Sequence, residues 1–276
     1  MTEAVINSQR YSLTDIGINL TDSAFDSDRQ AVIQNAAAAG VTRMLVTGTN
    51  AAESQQAISL CQQYPHQLFC TVGVHPHYSK EFTPAMRNTL AALLKCPEVC
   101  AVGETGLDFN RNFSTPEQQI WAFEQQLELA SDSQLPLFLH ERDAHTQQIE
   151  MLRSVKGEFN GGVAHCFTGT REELYNYLDL DLYIGITGWI CDERRGTELF
   201  KLLKEIPANR LLLETDAPYL LPRTLRPKPK SRRNLPRYLP HILEQAALAR
   251  NDDPQVLARQ TEENCQRLFR FNQRQG

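Results

Sequence analysis

Short apolar runs alternate with longer amphipathic stretches along the whole chain. The runs TDIGINL (to Leu20), RMLVTG (to Gly48), LFCTVGV (to Val74) and VCAVGE (to Glu104) predict four strands. LPLFLH (to His140), GGVAHCF (to Phe167), LYIGITG (to Gly188) and RLLLETD (to Asp216) predict four more. These runs are continuous rather than strictly alternating, which suits strands covered by helices. Between them lie helical patterns. DSDRQAVIQNAAAAG offers Asp26 as an N-cap and Gly40 as a stop. STPEQQIWAFEQQLELASDS starts at Ser114 or Thr115, has Pro116 at its first turn, and spaces Ile120, Phe123, Leu127 and Ala130 helically. TREELYNYLDL and GTELFKLLKEI are further amphipathic helices, and two more are expected around Tyr238–Arg250 and Pro254–Phe269.

Eight strand–helix units without a linker predict a closed (β/α)8 TIM barrel over residues 13–276, preceded by a polar N-terminal extension, residues 1–12. The rival, a doubly wound open sheet, would draw its site from the few strands at one switch point. Here polar groups close strands from across the chain. No dinucleotide fingerprint or phosphate-binding glycine loop follows any strand.

In a barrel of this kind the C-terminal strand ends form the site. Read in order, they present Asn19, Thr49, His75, Glu104, His140, His165, Thr187 and Asp216. Imidazole and carboxylate together suit a divalent cation. Glu104, His140, His165 and Asp216 are therefore the expected metal ligands, with Mg2+ the expected ion and Mn2+ or Zn2+ compatible. Metals so held suit displacement at phosphorus, with Glu104 and Asp216 as catalytic groups and Asp216 able to accept a proton from water. Alternation places Glu214 on the same face as Asp216, as a partner for a ligand histidine or as an ordinary buried ion-pair member. His75 and His77, aimed by Pro76, are expected to bind substrate phosphate, and His75 to assist the leaving group. Asp108 is expected to orient the Glu104 loop, and Cys166 to point away from the rim.

The chain of 276 residues has a net charge of −5, so wholesale phosphate coating of duplex DNA is excluded and any nucleic-acid contact must be local. The one cationic strip is PRTLRPKPKSRRNLPR, which follows Asp216; Arg232 and Arg233 are its expected phosphate contacts, with Tyr219 and Trp189 as stacking faces for unpaired bases. Arg194 and Arg195 are read as structural partners of Asp192 and Glu193. The seven cysteines include no CxxC pair and the N-terminus has no long apolar segment. Together these predict a reduced, cytoplasmic protein without membrane spans.

GVHPH (73–77), VGETGLDFNRNFSTPEQQ (102–119), LFLHERDAH (137–145), HCFTGTREE (165–173), YIGITGWICDERRG (183–196) and LLLETDAPYLLPR (211–223) closely resemble the TatD family of metal-dependent DNases, in family order. The resemblance implies an amidohydrolase-like barrel and metal ligands at the four positions already reached. It also implies DNA hydrolysis, typically 3′→5′ and favouring single strands. The chain departs from the wider family in strand one, where Gly17 and Asn19 stand in place of a His-x-His pair. This implies one firmly held cation, with a second bound weakly or only with substrate. The rival readings are another metal hydrolase of this barrel, acting on amides, lactones or phosphoesters, and a non-catalytic nucleic-acid-binding protein. A monomer is compatible with the sequence.

Overall fold

The computed structural model describes residues 11–271. Most of the expected N-terminal extension, and residues 272–276 of the expected domain, lie outside the described residues. Eight strands pair in chain order, each parallel to the next. They are β1 (Leu13–Ile18), β2 (Val41–Val46), β3 (Leu68–Val72), β4 (Val99–Asp108), β5 (Leu137–Arg142), β6 (Gly162–Ala164), β7 (Tyr183–Ile186) and β8 (Leu211–Leu213). The ring closes where Ile18 bridges Ala217 in parallel and the Asp216 and Asn19 amides donate to the Gly17 and Ala217 carbonyls, both at 2.8 Å. Sequential order without a reversal is a (β/α)8 barrel and excludes the doubly wound sheet.

The helices are α1 (Arg29–Ala38), α2 (Ala51–Gln63), α3 (Pro84–Leu93), α4 (Pro116–Ser133), α5 (His145–Ser154), α6 (Arg171–Leu178), α7 (Thr197–Leu202), α8 (Leu239–Arg250) and α9 (Pro254–Phe269). The start of α1 differs from expectation. Asp26 does not cap α1, because its carboxylate is held by Arg29 at 2.6 Å and the preceding turn, Ser23–Phe25, is capped by Asp22 instead. Asp28 occupies the cap position without capping, since its carboxylate is taken by Arg233.

Helix α4 starts as its sequence requires. Thr115 and Gln118 form a reciprocal capping box, and Pro116 sits where no amide is needed. Its apolar stripe, including Phe123, Leu127 and Ala130, is buried. Two glutamines on the buried side, Gln119 and Gln126, tie the helix to the strand ends described below.

At the N-terminal ends of the strands the barrel is closed by the segment that ends α9. Phe269 and Phe271 are buried with Phe69, Phe138 and Leu212, and the Phe69 and Phe271 rings lie 4.5 Å apart. The polar rim is therefore confined to the other end. All seven cysteines are free thiols. Among the described residues no helix is long and apolar enough to cross a membrane.

Candidate metal centre

A cavity of about 1430 Å³ opens at the C-terminal ends of the strands. Its walls include Asn19, His75, His77, Glu104, Asp108, His140, His165 and Asp216. Every strand-end histidine and carboxylate singled out in the sequence thus reaches one space.

Glu104 is its centre. This buried carboxylate lies with Oε1 2.9 Å from His140 Nδ1, 3.4 Å from His75 Nε2 and 3.7 Å from His165 Nε2. Burial alone would raise its pKa, but His75, His140 and His165 overcome that and hold it well below the usual carboxylate range. His75, Glu104 and His140 bring one ligand-type atom each within 4.8 Å of one another. The donor set, imidazole nitrogens around carboxylate oxygens, is the chemistry that holds a divalent cation, so the residues fit such an ion.

Hydrogen bonds at the far side of each ring sort the histidines. His165 Nδ1 lies 2.6 Å from Glu214 Oε2, whose carboxylate also accepts the Cys166 amide at 2.5 Å. A carboxylate at Nδ1 holds a proton there, so Nε2, which faces Glu104, is the nitrogen that would give up its proton to a metal. His75 is arranged the opposite way. The His77 amide donates to His75 Nδ1 at 3.1 Å, so its proton resides on Nε2, toward Glu104. Burial, with His140 and His77 adding, lowers the His75 pKa to about 3 against the pull of Glu104. His75 is thus a neutral N–H donor aimed into the cavity. His140 lies between two carboxylates, Glu104 at Nδ1 and Asp108 Oδ2 at Nε2, 3.3 Å away. Burial disfavours its charge, but bonds to Asp108 and Glu104 prevail and raise its pKa to about 9. Burial likewise opposes charge on His165, but Glu214 and Glu104 carry it to about 10.

The Glu214 carboxylate occupies a cradle that only glycine provides. A Cβ at Gly17 would collide with Glu214 Oε2, and one at Gly185 would lie 2.6 Å from Oε1. Gly17 and Gly185 together therefore give Glu214 the room to hold His165. Asp216 has a positive φ of 53°, a costly conformation for a non-glycine residue and one that concentrates at functional sites. Asn19 Nδ2 donates to its Oδ1 at 3.0 Å. Burial, reinforced by Glu104 and Glu214 and offset by His165, raises the Asp216 pKa to about 7.

Asp108 does more than orient a loop. It is buried, accepts the Asn110 and Arg111 amides through Oδ1, and meets His77 Nε2 at 2.8 Å and His140 Nε2 through Oδ2. Burial opposes its ionisation, yet bonds from His140, the Arg111 amide and His77 hold its pKa well below the ordinary range. The sequence carried the signal: Glu104, Gly106 and Asp108 share one face at strand spacing, and β4 continues to Asp108 rather than ending at Glu104.

Other expectations fall differently. Arg232 and Arg233 are not among the residues lining the cavity. Arg233 is spent on Asp28, at 2.6 and 2.9 Å, and on the ring of Phe25. Arg223 faces Glu193 and Asp192, and Arg226 donates to the Arg223 and Leu225 carbonyls. Arg194 and Arg195 pair with Asp192, as expected. Cys166 lines the cavity instead of pointing away, because its φ of 47° breaks strand alternation. Tyr219 and Trp189 both line the cavity, Tyr219 bonded to Asp22 and Trp189 lying under Arg195. Phe113, which the sequence did not single out, stands at the mouth beside His77. A second cluster, Glu141, His145 and Glu173, also brings ligand-type atoms within 4.8 Å. Its carboxylates already serve the Ala144 and Thr170 amides.

The family model described as TatD related DNase matches residues 14–270. A relative from Salmonella typhimurium, named 3′-5′ ssDNA/RNA exonuclease TatD, is 56% identical over 255 residues, which are 92% of this chain and 98% of that protein. Among solved structures, a TatD homologue of Escherichia coli superposes with a TM-score of 0.85 at 28% identity, covering 94% of this chain and 98% of its own. An uncharacterized amidohydrolase of Saccharomyces cerevisiae superposes at 0.83 with 25% identity, covering 94% of this chain and all of its own (100%).

Proposed function

Because the chain belongs to the TatD related DNase family, we propose that it is a metal-dependent 3′→5′ exonuclease that hydrolyses single-stranded DNA and also accepts RNA. The observation that carries this reading is Glu104 surrounded by three imidazoles at the rim, one of them held at Nδ1 by Glu214. Glu104, His140, His165 and Asp216 would hold a divalent cation, Mg2+ in use, with Mn2+ or Zn2+ compatible. When bound, that cation supplies Lewis-acid activation of water and neutralises charge on the phosphate.

The chain's own residues do the rest. Asp216, whose Oδ1 accepts from Asn19 at the rim, is placed to take a proton from the attacking water. His75 presents Nε2–H to a phosphate oxygen; kept neutral, it contributes a hydrogen bond rather than a delivered proton. His77, held on Asp108, offers a second contact to the same phosphate.

The test is strand polarity with two isosteric variants. Wild-type enzyme and Mg2+ should release mononucleotides from the 3′ end of an end-labelled oligonucleotide. Glu104→Gln and Asp216→Asn should each lose at least about a thousandfold in kcat while keeping their thermal unfolding profile, as removal of a ligand or base from a preorganised centre does. Undiminished turnover in both variants, or digestion from the 5′ end, would refute the assignment.

A further inference from the structure

The cavity presents a problem for a polyanionic substrate. Its lining holds nine aspartates and glutamates against two arginines, Arg111 and Arg142, and no lysine. The cationic strip does not reach it. Attraction between phosphate and the protein's own cationic side chains is therefore not what retains the chain inside. The same walls are rich in accessible rings. Seven large apolar or aromatic side chains are prominently exposed among the described residues, and three of them, Tyr78, Phe113 and Tyr219, line this one cavity.

Phe113 is the informative one. It is 55% exposed, in a polar loop where nothing in its neighbourhood forces an apolar residue. A phenyl ring has no hydrogen bond to make, so its side chain can act only as a surface. It meets His77 edge-on, with ring centroids 4.7 Å apart and planes at 74°. His77 is bonded to Asp108, and Asp108 to His140, so the ring stands next to the chain of contacts that ends at Glu104. Tyr219, in contrast, is tied by its hydroxyl to Asp22.

We propose that Phe113 is the stacking platform for the terminal unpaired base, deepening the exonuclease reading on which this inference rests. A ring face accepts any base, so it grips the end of a strand without reading sequence. An unpaired base is free to turn its face onto the ring, whereas a paired one is held by its partner, so the contact favours single strands without using charge. Because the contact is neutral, it works inside an acidic cavity where cationic side chains are few.

The test compares two 3′-terminal substrates, one ordinary and one with an abasic terminal residue, on wild type, Phe113→Leu and Phe113→Trp. Leucine keeps the apolar bulk and removes the ring; the exposed position leaves the fold out of the comparison. Wild type should show at least a fivefold lower KM for the ordinary end than for the abasic one. Phe113→Leu should abolish that difference by raising KM for the ordinary end alone, and Phe113→Trp should preserve it. Equal KM values for both ends in wild type, or a Phe113→Leu enzyme that still discriminates, would overturn the proposal. Wild type that cleaves neither substrate would overturn the nuclease reading itself, and this inference with it.

Discussion

At the scale of single residues, the centre is set by which nitrogen of each ring carries the proton. Glu214 holds His165 at Nδ1, leaving Nε2 as the nitrogen a cation can take, and the His77 amide fixes His75 with Nε2 protonated, so two similar strand-end histidines acquire opposite roles. Substituting Glu214→Gln should weaken cation affinity by about 10- to 100-fold, the usual effect of removing a ligand's carboxylate partner, with the fold retained; titration of the metal-free protein with Mn2+ would measure it. Protons compete with the cation for the same atoms. The pKa values of His140 and His165 lie near 9 and 10 without metal, so binding must displace protons and apparent affinity should tighten as pH rises from 6 to 8. Stability follows the opposite course in chelator. A histidine whose folded pKa is raised stabilises fully below its unfolded value of about 6.5 and loses that contribution as pH rises toward 9 and 10. Asp216, also raised, to about 7, adds a loss of the same sign between its ordinary range and neutrality. The melting temperature of the metal-free protein should therefore fall between pH 6 and pH 9. A melting temperature that rose over that interval would contradict the protonation pattern.

At the scale of elements, helix α4 is the clamp that holds two site-bearing strand ends. Gln126 accepts the Val74 amide at 2.7 Å and donates to its carbonyl at 3.0 Å, just before His75. Gln119 accepts the Asp108 amide at 2.8 Å and donates to its carbonyl at 2.9 Å. Two substitutions separate the helix from the clamp. Thr115→Ala removes only the cap and should cost about 1 kcal/mol with little change in turnover. Gln126→Leu leaves a buried amide and carbonyl unpaired, should cost about 1–3 kcal/mol, and should also lower kcat by displacing His75. Chemical denaturation with parallel assays distinguishes the two; equal effects on kcat would remove α4 from the site's support.

The same element shows what the sequence could and could not reveal. Its cap and apolar stripe obey local rules and were readable, as were all eight strands, because continuous burial by helices leaves a continuous apolar run. The buried glutamines were hidden, since their partners lie on other elements. Arg233 was misplaced for the same reason: its partner Asp28 is 205 residues away in the chain. Cys166 was misplaced because alternation holds only while φ stays in the extended region, which it leaves at 47°. Phe113 lies in a loop without periodicity, so no pattern marked it.

At the scale of the whole molecule, the barrel divides its two ends by chemistry. Phe269 and Phe271 pack the end where the strands begin, while the carboxylates and imidazoles gather where they finish. The net charge of −5 is thus not spread evenly: an acidic cavity receives the substrate, and most of the basic strip's arginines that follow Asp216 engage carboxylates or carbonyls of the same chain. Such a cavity gains affinity for a phosphate chain only once cations occupy its centre, which makes the ion a condition of both binding and hydrolysis. The most direct measurement is nucleotide release from a 3′-labelled single-stranded oligonucleotide by enzyme stripped of metal with chelator, before and after Mg2+ is restored. No release is expected before and full release after, with Glu104→Gln silent in both. Release at the same rate with chelator present would contradict the metal dependence.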